Sequence, residues 1–353
     1  MLSIVPLLAL ACSCSRNETM DVPGDEIAFS IGTSDVSDSR STGSVLVTDD
    51  NLKNDGSEIA VYGYHGGASD YSGKTPVFET DGAKRVYYKS TGNVGKSKWD
   101  YDYTGGTDKV KWIRSDYYRF RAFYPYSLLS KVNSSSNAEI LALDYSLMEN
   151  DSDLLVAYST RFPAGEGIGS VELKFQHALS ALKFVVKKDN SDVTEKIKEF
   201  YLTGLFQTGG LVYTSSDATN LSGTQTINWI PSVSDEDTPV HHWVTETKYK
   251  EIVTEGVTVY GDGDNDDNKG FVFAIPMNGK DNNGLIVKTL PKIYANFRTD
   301  KGGTVLHTAQ LPNIRWEPGK KYIYTITVKQ ATVSVVVTIK PWAIIEAGAE
   351  IKL

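Results

Sequence analysis

Apolar and polar side chains alternate with a period of two residues along much of this chain. The alternation is clearest from Val171 to Leu179, where large apolar residues and His177 occupy the odd-numbered positions, while Glu, Lys and Gln occupy the even-numbered positions from 172 to 176. A period of two is typical of β-strands with one buried face. The strands predicted in this way cover residues 26–31, 58–64, 85–89, 109–113, 117–124, 171–187, 199–206, 257–260, 271–275, 292–297, 320–328 and 333–339. Only Val193 to Lys198 has the pattern of a short helix, so the sequence predicts an all-β, mainly antiparallel fold.

The length and one glycine-rich segment together predict two domains. A chain of 353 residues is longer than most single cores. Residues 162–170 are rich in glycine and lie near the middle. We therefore place an N-terminal domain at residues 26–170 and a C-terminal domain at residues 171–353, each with the short, regularly spaced strands of a β-sandwich.

The first 25 residues have the features of an export signal followed by a polar tether. Residues 2–11 form an apolar run that is too short to cross a bilayer. Cys12 and Cys14, the only cysteines of the chain, follow it directly. Small residues before a cysteine resemble a bacterial lipobox, in which the thiol is acylated, for example with palmitate, and two acyl chains anchor a protein firmly. We favour Cys12, preceded by Ala9–Ala11, with Cys14 as the alternative, and expect no disulfide in the mature body.

Charge and motifs exclude several classes of function. The net charge of −8 and the pI near 5.3 argue against partners that need a basic surface, such as nucleic acids or anionic membranes. The chain has no nucleophile elbow, phosphate-binding glycine loop or zinc signature. We therefore predict no catalytic residues, no cofactor and no metal.

Three weaker signals have ordinary structural explanations. Residues 262–270 are rich in Asp, but Asp267 and Phe273 stand where an EF-hand needs Gly and Glu, so an acidic turn is favoured over a calcium site. The adjacent His241 and His242 would point to opposite faces of a strand. We expect His177 to be a hydrogen-bonded core histidine.

A group of aromatic residues suggests a second possible function, the binding of glycans. These aromatics could stack on sugar rings if they were exposed, although alternation predicts that half of them are buried. They are Trp99, Tyr101, Tyr103, Trp112, Tyr117 and Tyr118.

Several segments, taken in order, resemble the fimbrillin family of Bacteroides-type pilin lipoproteins, of the major or minor type. The matching segments are KVKWIRSDYYRFRAFYPYS (109–127), DSDLLVA (151–157), LKFQHALSALKFVV (173–186), RWEPGKKYIYTITV (315–328) and IKPW (339–342). The resemblance implies two tandem transthyretin-like antiparallel β-sandwich domains. It also implies a lipid-anchored precursor at the outer membrane that matures into an extracellular fimbria.

The resemblance further implies that an arginine-specific protease cuts the loop after the first strand. Arg40 is the only Lys or Arg between Asn17 and Leu52, and cleavage there would leave Ser41 as the new N-terminus. Loops of this kind are the usual sites of proteolysis, although an ordinary loop charge is the alternative explanation of Arg40. The removed strand would carry the apolar side chains Ile27, Phe29 and Ile31.

The C-terminal residues provide a candidate donor strand for the vacated place. Pro341 separates residues 333–339 from the last segment, because proline lacks the N–H that a central strand needs. In that last segment, Ala343–Leu353, one face would carry Ile345, Ala347, Ala349 and Ile351. An ordinary terminal strand packed in its own domain is the alternative.

The sequence therefore predicts a non-enzymatic structural subunit of a cell-surface fimbria that serves adhesion. Its expected partners are other fimbrial subunits, with self-polymerisation by strand exchange, and the maturation protease. An anchor or tip subunit of the same fimbria is an alternative, and so is a monomeric surface lipoprotein that binds glycans.

Overall fold

The computed structural model describes Leu52, Asn54 and residues 26–33, 56–67, 75–78, 82–89, 99–101, 110–133, 140–149, 152–161, 170–189, 195–215, 225–232, 238–244, 250–260, 270–277, 290–300, 305–329 and 333–341. The strands are β1 Phe29–Thr33, β2 Glu58–Gly66, β3 Thr75–Pro76, β4 Lys84–Tyr88, β5 Trp99–Asp100, β6 Tyr117–Tyr124, β7 Ile140–Ser146, β8 Leu155–Arg161, β9 Val171–His177, β10 Ser180–Lys188, β11 Lys196–Thr203, β12 Thr208–Ser215, β13 Gln225–Pro231, β14 Val240–Val244, β15 Lys250–Glu251, β16 Val257–Thr258, β17 Phe271–Ala274, β18 Tyr294–Thr299, β19 Val305–Gln310, β20 Lys320–Val328 and β21 Val333–Pro341. A short 3-10 helix spans Tyr126–Lys131. The predicted all-β class is confirmed.

Seven strands of the N-terminal half close on themselves into a barrel-like sheet. Their order is β2-β4-β5-β1-β9-β8-β6, and β6 pairs again with β2, while β3 extends from β2. The predicted pair of transthyretin-like sandwiches is thus not confirmed. The pairing of β2 with β6, which joins the two ends of the ring, depends on contacts that are distant in sequence and leave no local signal.

The other strands form three sheets. One contains β16, β10, β20 and β21, with β17 beside β10, and a second contains β14, β11, β18 and β19, with β15 beside β11. The third has the order β13-β12-β7. In the first sheet β21 is an edge strand that pairs antiparallel with β20 along its whole length.

Two clusters of buried apolar side chains hold these sheets together. Every strand of the ring contributes to one cluster, which fills the ring with residues such as Phe29, Phe120 and Phe175. The other cluster joins the three remaining sheets and also includes Tyr62 and Phe123 from the ring. Strands β2 and β6 therefore have buried side chains on both faces.

Strand pairing crosses the position of the predicted domain boundary near Ser170. Strand β9, which follows it, pairs with β1 and β8, and β7, which precedes it, pairs with β12. The division into two independently folding domains stays a prediction.

The predicted helix at Val193–Lys198 is wrong in its described part, since β11 begins at Lys196. There Ile197 and Phe200 are buried in the larger cluster, and tertiary packing overrides the local helical pattern.

The arginines of β6 lie in a core. Arg121 is 2% exposed, and its guanidinium carbon lies 4.5 Å from the ring centroid of Tyr158 and 5.4 Å from that of Tyr213.

Candidate functional site

The apolar face of the first strand is buried in the middle of the ring. Ile27 is 1% exposed, Phe29 0% and Ile31 7%, as the alternating pattern requires of a strand with one face in the core. The ring of Phe29 packs edge to face against Tyr101, with centroids 5.9 Å apart, and against Phe120, with centroids 5.7 Å apart. Phe29 is therefore the central anchor of this strand in the core.

The backbone of this strand is held on both sides by segments that are distant in sequence. On one side β1 runs parallel to β9, in register from Phe29 opposite Val171 to Thr33 opposite Phe175. On the other side Phe29 pairs with Trp99 of β5. Parallel pairing of strands so far apart depends on the tertiary fold.

Three further hydrogen bonds fix the start of the strand. The backbone N–H of Ile27 donates to the carbonyl oxygen of Val110 at 2.7 Å, and the N–H of Val171 donates to the carbonyl oxygen of Ala28 at 2.7 Å. The buried hydroxyl of Tyr101 donates to the carbonyl oxygen of Ile27 at 2.9 Å. A strand that left this place would vacate an apolar groove with backbone partners along its walls.

Tyr101 is the residue of this site whose role the sequence did not reveal. It belonged to the predicted sugar-stacking group, yet it is 2% exposed and contacts the first strand through both its ring and its hydroxyl. A tyrosine with a partner so distant in sequence gives no local signal. Its membership of a group of closely spaced aromatic residues was the only available indication.

Most other predicted site residues lie outside the described part of the chain. These are the lipidation candidates Cys12 and Cys14, the cleavage site at Arg40 and Ser41, and the donor residues Ile345, Ala347, Ala349 and Ile351. The acidic segment 262–270 is described only at Gly270. Strand β21 includes Pro341, the last described residue, so the predicted break after residue 339 stays a prediction.

The structure does not favour the predicted sugar-stacking platform. Trp99, Tyr101, Trp112 and Tyr118 are all buried in the core of the ring. Tyr117 is half-buried, and Tyr103 lies outside the described residues. Buried rings cannot stack on a sugar, so these four side chains are not available to bind one.

The histidines have structural partners. As predicted, His177 is a hydrogen-bonded core residue, with its Nδ1 2.7 Å from Oδ2 of buried Asp153. His241 Nε2 lies 2.6 Å from the carbonyl oxygen of Phe273. His242 Nε2 lies 2.7 Å from a carboxylate oxygen of Glu199. The described residues include no group of three or more side chains suited to hold a metal ion.

The RWEPGKKY segment forms a hydrogen-bonded aromatic corner at the start of β20. The indole N–H of Trp316 donates to the hydroxyl oxygen of Tyr324 at 2.8 Å, and the backbone N–H of Glu317 donates to the hydroxyl oxygen of Tyr322 at 2.9 Å. Burial raises the pKa of Tyr322 to about 12 and that of Tyr324 still further. Both hydroxyls therefore stay neutral and structural at physiological pH.

No helix in the described part of the chain is long and apolar enough to span a membrane.

Comparison with curated proteins found no match. Among solved structures, a fimbrial protein from Bacteroides vulgatus is similar, with 16% identity and a TM-score of 0.54, covering 90% of this chain and 99% of that one. A candidate cell adhesion protein from Bacteroides uniformis has 14% identity and a TM-score of 0.46, covering 90% and 98%.

The similarity to the Bacteroides vulgatus structure concerns the fold. Family membership follows from the sequence, because the model of the fimbrillin-like family matches residues 46–342. The match covers most of the chain, and the protein therefore belongs to the fimbrillin-like family.

Proposed function

We propose that this protein is a structural subunit of an adhesive cell-surface fimbria, matured by removal of its first strand and assembled by strand exchange. The observation that carries the proposal is the position of β1. This strand and the residues just before it bury Ile27, Phe29 and Ile31 in the ring, and the strands that pair with β1 are distant in sequence. An unpaired groove of this kind binds an extended strand through backbone hydrogen bonds and side-chain pockets.

Cleavage after Arg40 is the proposed maturation step. Arg40 follows β1 and precedes β2, so a cut there would separate the strand from the rest of the chain without breaking any of the described strands. Arg119 and Arg121 are buried on a strand that is paired on both sides, and a protease cannot reach them in the folded protein. These two sites are therefore closed to a protease, whereas Arg114 is exposed in a turn and is the competing site that the digestion below must distinguish from Arg40.

The remaining steps of the proposal are supported by the resemblance to fimbrillins and by the sequence patterns at residues 2–14 and 343–353. The precursor would be exported and held at the outer membrane by lipid on Cys12 or, failing that, Cys14. The candidate donor is the segment Ala343–Leu353, which follows the edge strand β21. It would enter the groove of a neighbouring subunit. In this scheme the protein has no catalytic role.

An arginine-specific endoprotease tests the cleavage step. Limited digestion of the folded full-length precursor should give one dominant body fragment that begins at Ser41, as identified by mass spectrometry. Arg40→Lys is the matched control, because it keeps the charge but removes the recognised residue. If this variant is cut at the same rate into the same fragments, the proposed maturation site is wrong.

The assembly step needs a separate measurement. Cleaved protein mixed with fimbrial subunits should form rods visible by electron microscopy, while the uncleaved Arg40→Lys variant should stay unassembled. Equal assembly of both forms would contradict strand exchange.

A further inference from the structure

The groove that β1 occupies has a deep central position that is shaped for an aromatic ring. Phe29 is fully buried there, between the rings of Tyr101 and Phe120. Ile27 and Ile31 fill the flanking positions on the same face. The groove therefore accepts three large side chains at alternate positions, and the middle one is a ring.

The same groove also recognises one backbone position. The hydroxyl of Tyr101 is buried and donates to the carbonyl oxygen of Ile27. A strand that runs in the direction of β1 would place a carbonyl at this hydroxyl and its next-but-one side chain in the Phe29 position. Because the Tyr101 hydroxyl fixes one carbonyl of the bound strand, it also determines which side chain of that strand enters the Phe29 position.

The C-terminal segment of this chain does not have the required pattern. Residues 343–353 contain no aromatic residue, and the apolar face carries alanine at 343, 347 and 349. With that face inward, every register and either direction of this segment puts Ala or Ile at the Phe29 position. At least one of the positions now filled by Ile27, Phe29 and Ile31 then receives Ala. Alanine in a position shaped for phenylalanine leaves a cavity, and such substitutions are among the most destabilising in cores.

We infer that the groove of this protein selects a donor strand that carries an aromatic anchor, and that this donor belongs to a different subunit rather than to a second copy of this chain. The inference rests on the proposed strand exchange and adds the identity of the neighbour. This chain would then accept one type of strand and donate another. A subunit of this kind joins unlike neighbours in an ordered assembly.

A displacement assay on the full chain tests this inference. Cys12 and Cys14 are the only cysteines, and both lie before Arg40, so a thiol-reactive fluorophore labels only the fragment that contains β1. The labelled protein is cut after Arg40, or at a protease site inserted there if Arg40 resists cleavage. Release of the fragment by added peptides is then followed by fluorescence anisotropy.

Four peptides test whether displacement depends on an aromatic residue as such or on its position on the inward face of the strand. They are residues 24–34 as the reference, residues 343–353 unchanged, the latter with Ala347→Phe, and the latter with Gly348→Phe. The last two differ only in the face of the strand that carries the ring. The Ala347→Phe peptide should displace the fragment at a concentration at least about tenfold lower than the unchanged segment requires. The Gly348→Phe peptide should require about the same concentration as the unchanged segment.

Tyr101→Phe in the full chain tests the role of the hydroxyl. It should weaken the binding of the labelled fragment and of the peptides by a similar factor, because the hydroxyl contacts backbone rather than a side chain. The labelled fragment should therefore leave faster without any peptide, while the order of the peptides stays the same. If the unchanged segment displaces the fragment as well as the Ala347→Phe peptide, or if both rings act equally, the aromatic selectivity is wrong. If even excess reference peptide releases nothing, strand exchange itself fails, and this inference fails with it.

Discussion

Phe29 concentrates much of the packing between the first strand and the rest of the ring. Its side chain is fully buried and contacts two other aromatic rings, whereas its neighbour Ser30 is exposed on the opposite face. These adjacent residues therefore allow a buried and an exposed position of the same strand to be compared.

Phe29→Ala should lower the free energy of unfolding of the uncleaved precursor by about 3–5 kcal/mol. The loss combines the apolar surface no longer buried with the cavity left between Tyr101 and Phe120. Urea denaturation measures it. Ser30→Ala, the control on the same strand, should change stability by less than about 0.5 kcal/mol. Equal effects of the two variants would show that the strand is not anchored in the core.

Tyr322 makes stability depend on pH in the alkaline range. Burial raises its pKa from 10.0 to about 12, the hydrogen bond from the Glu317 N–H lowers it, and the Glu317 charge raises it. Below pH 10 the folded and unfolded states are both protonated, and the stabilisation is fully present. Between about pH 10 and 12 the unfolded state loses the proton first, so stability should fall as pH rises.

Urea denaturation across this pH range should show a smaller fall for Tyr322→Phe than for the unchanged protein, because phenylalanine cannot ionise. Buried Tyr213 and Tyr324, whose pKa values are also raised, should keep part of the fall in the variant. An identical pH dependence of the two proteins would contradict the assignment to Tyr322.

At the scale of elements, the alternating pattern predicts a strand well where one face meets solvent. In β9 buried and exposed residues alternate without exception, and the sequence shows it. In β6 six consecutive residues are buried, because the strand lies between two cores, and Arg121 packs against tyrosines instead of facing water. The aromatic positions of β6 were predictable, but the second core was not.

The candidate site was predictable to a similar extent. Alternation alone indicated that Ile27, Phe29 and Ile31 share a buried face. It gave no information about the parallel pairing with β9 or the hydroxyl of Tyr101, since both partners are distant along the chain.

Deleting Ala343–Leu353 tests the donor segment. Strand β21 pairs with β20 up to Pro341 and should keep this pairing in the truncated protein. The cleaved variant should therefore stay folded by circular dichroism and melt cooperatively, yet be missing from fimbriae in immunogold micrographs.

The same deletion also tests the alternative, in which the segment packs in its own domain. If the truncated protein unfolds or aggregates, the segment is an ordinary strand of its own core. As a milder variant, Ile345→Asp with Ile351→Asp changes only the apolar face and should also prevent incorporation.

At the scale of the whole molecule, the proposed precursor has its lipid and its folded body on opposite sides of the proposed cleavage site. Cys12 and Cys14 precede Arg40, and the ring is completed by β1, which lies between them and that site. Cleavage would therefore release the body from the membrane only when β1 also leaves the ring.

Replacing both cysteines with serine should leave the precursor without lipid and absent from the outer-membrane fraction, as measured by fractionation and mass spectrometry. Cys12→Ser alone should have the same effect if Cys12 is the acylated residue, while Cys14→Ser alone should not. Normal fractionation of the double variant would rule out both sites.

The orientation of β1 has a mechanical consequence. The strand lies alongside β9 over five successive residue pairs, with neighbours on both sides. A pull along its axis would load the hydrogen bonds of this ladder together, in shear, instead of opening them one after another. A donor strand seated in the same way should make each joint of a fimbria resist tension far better than a peeling force of the same size.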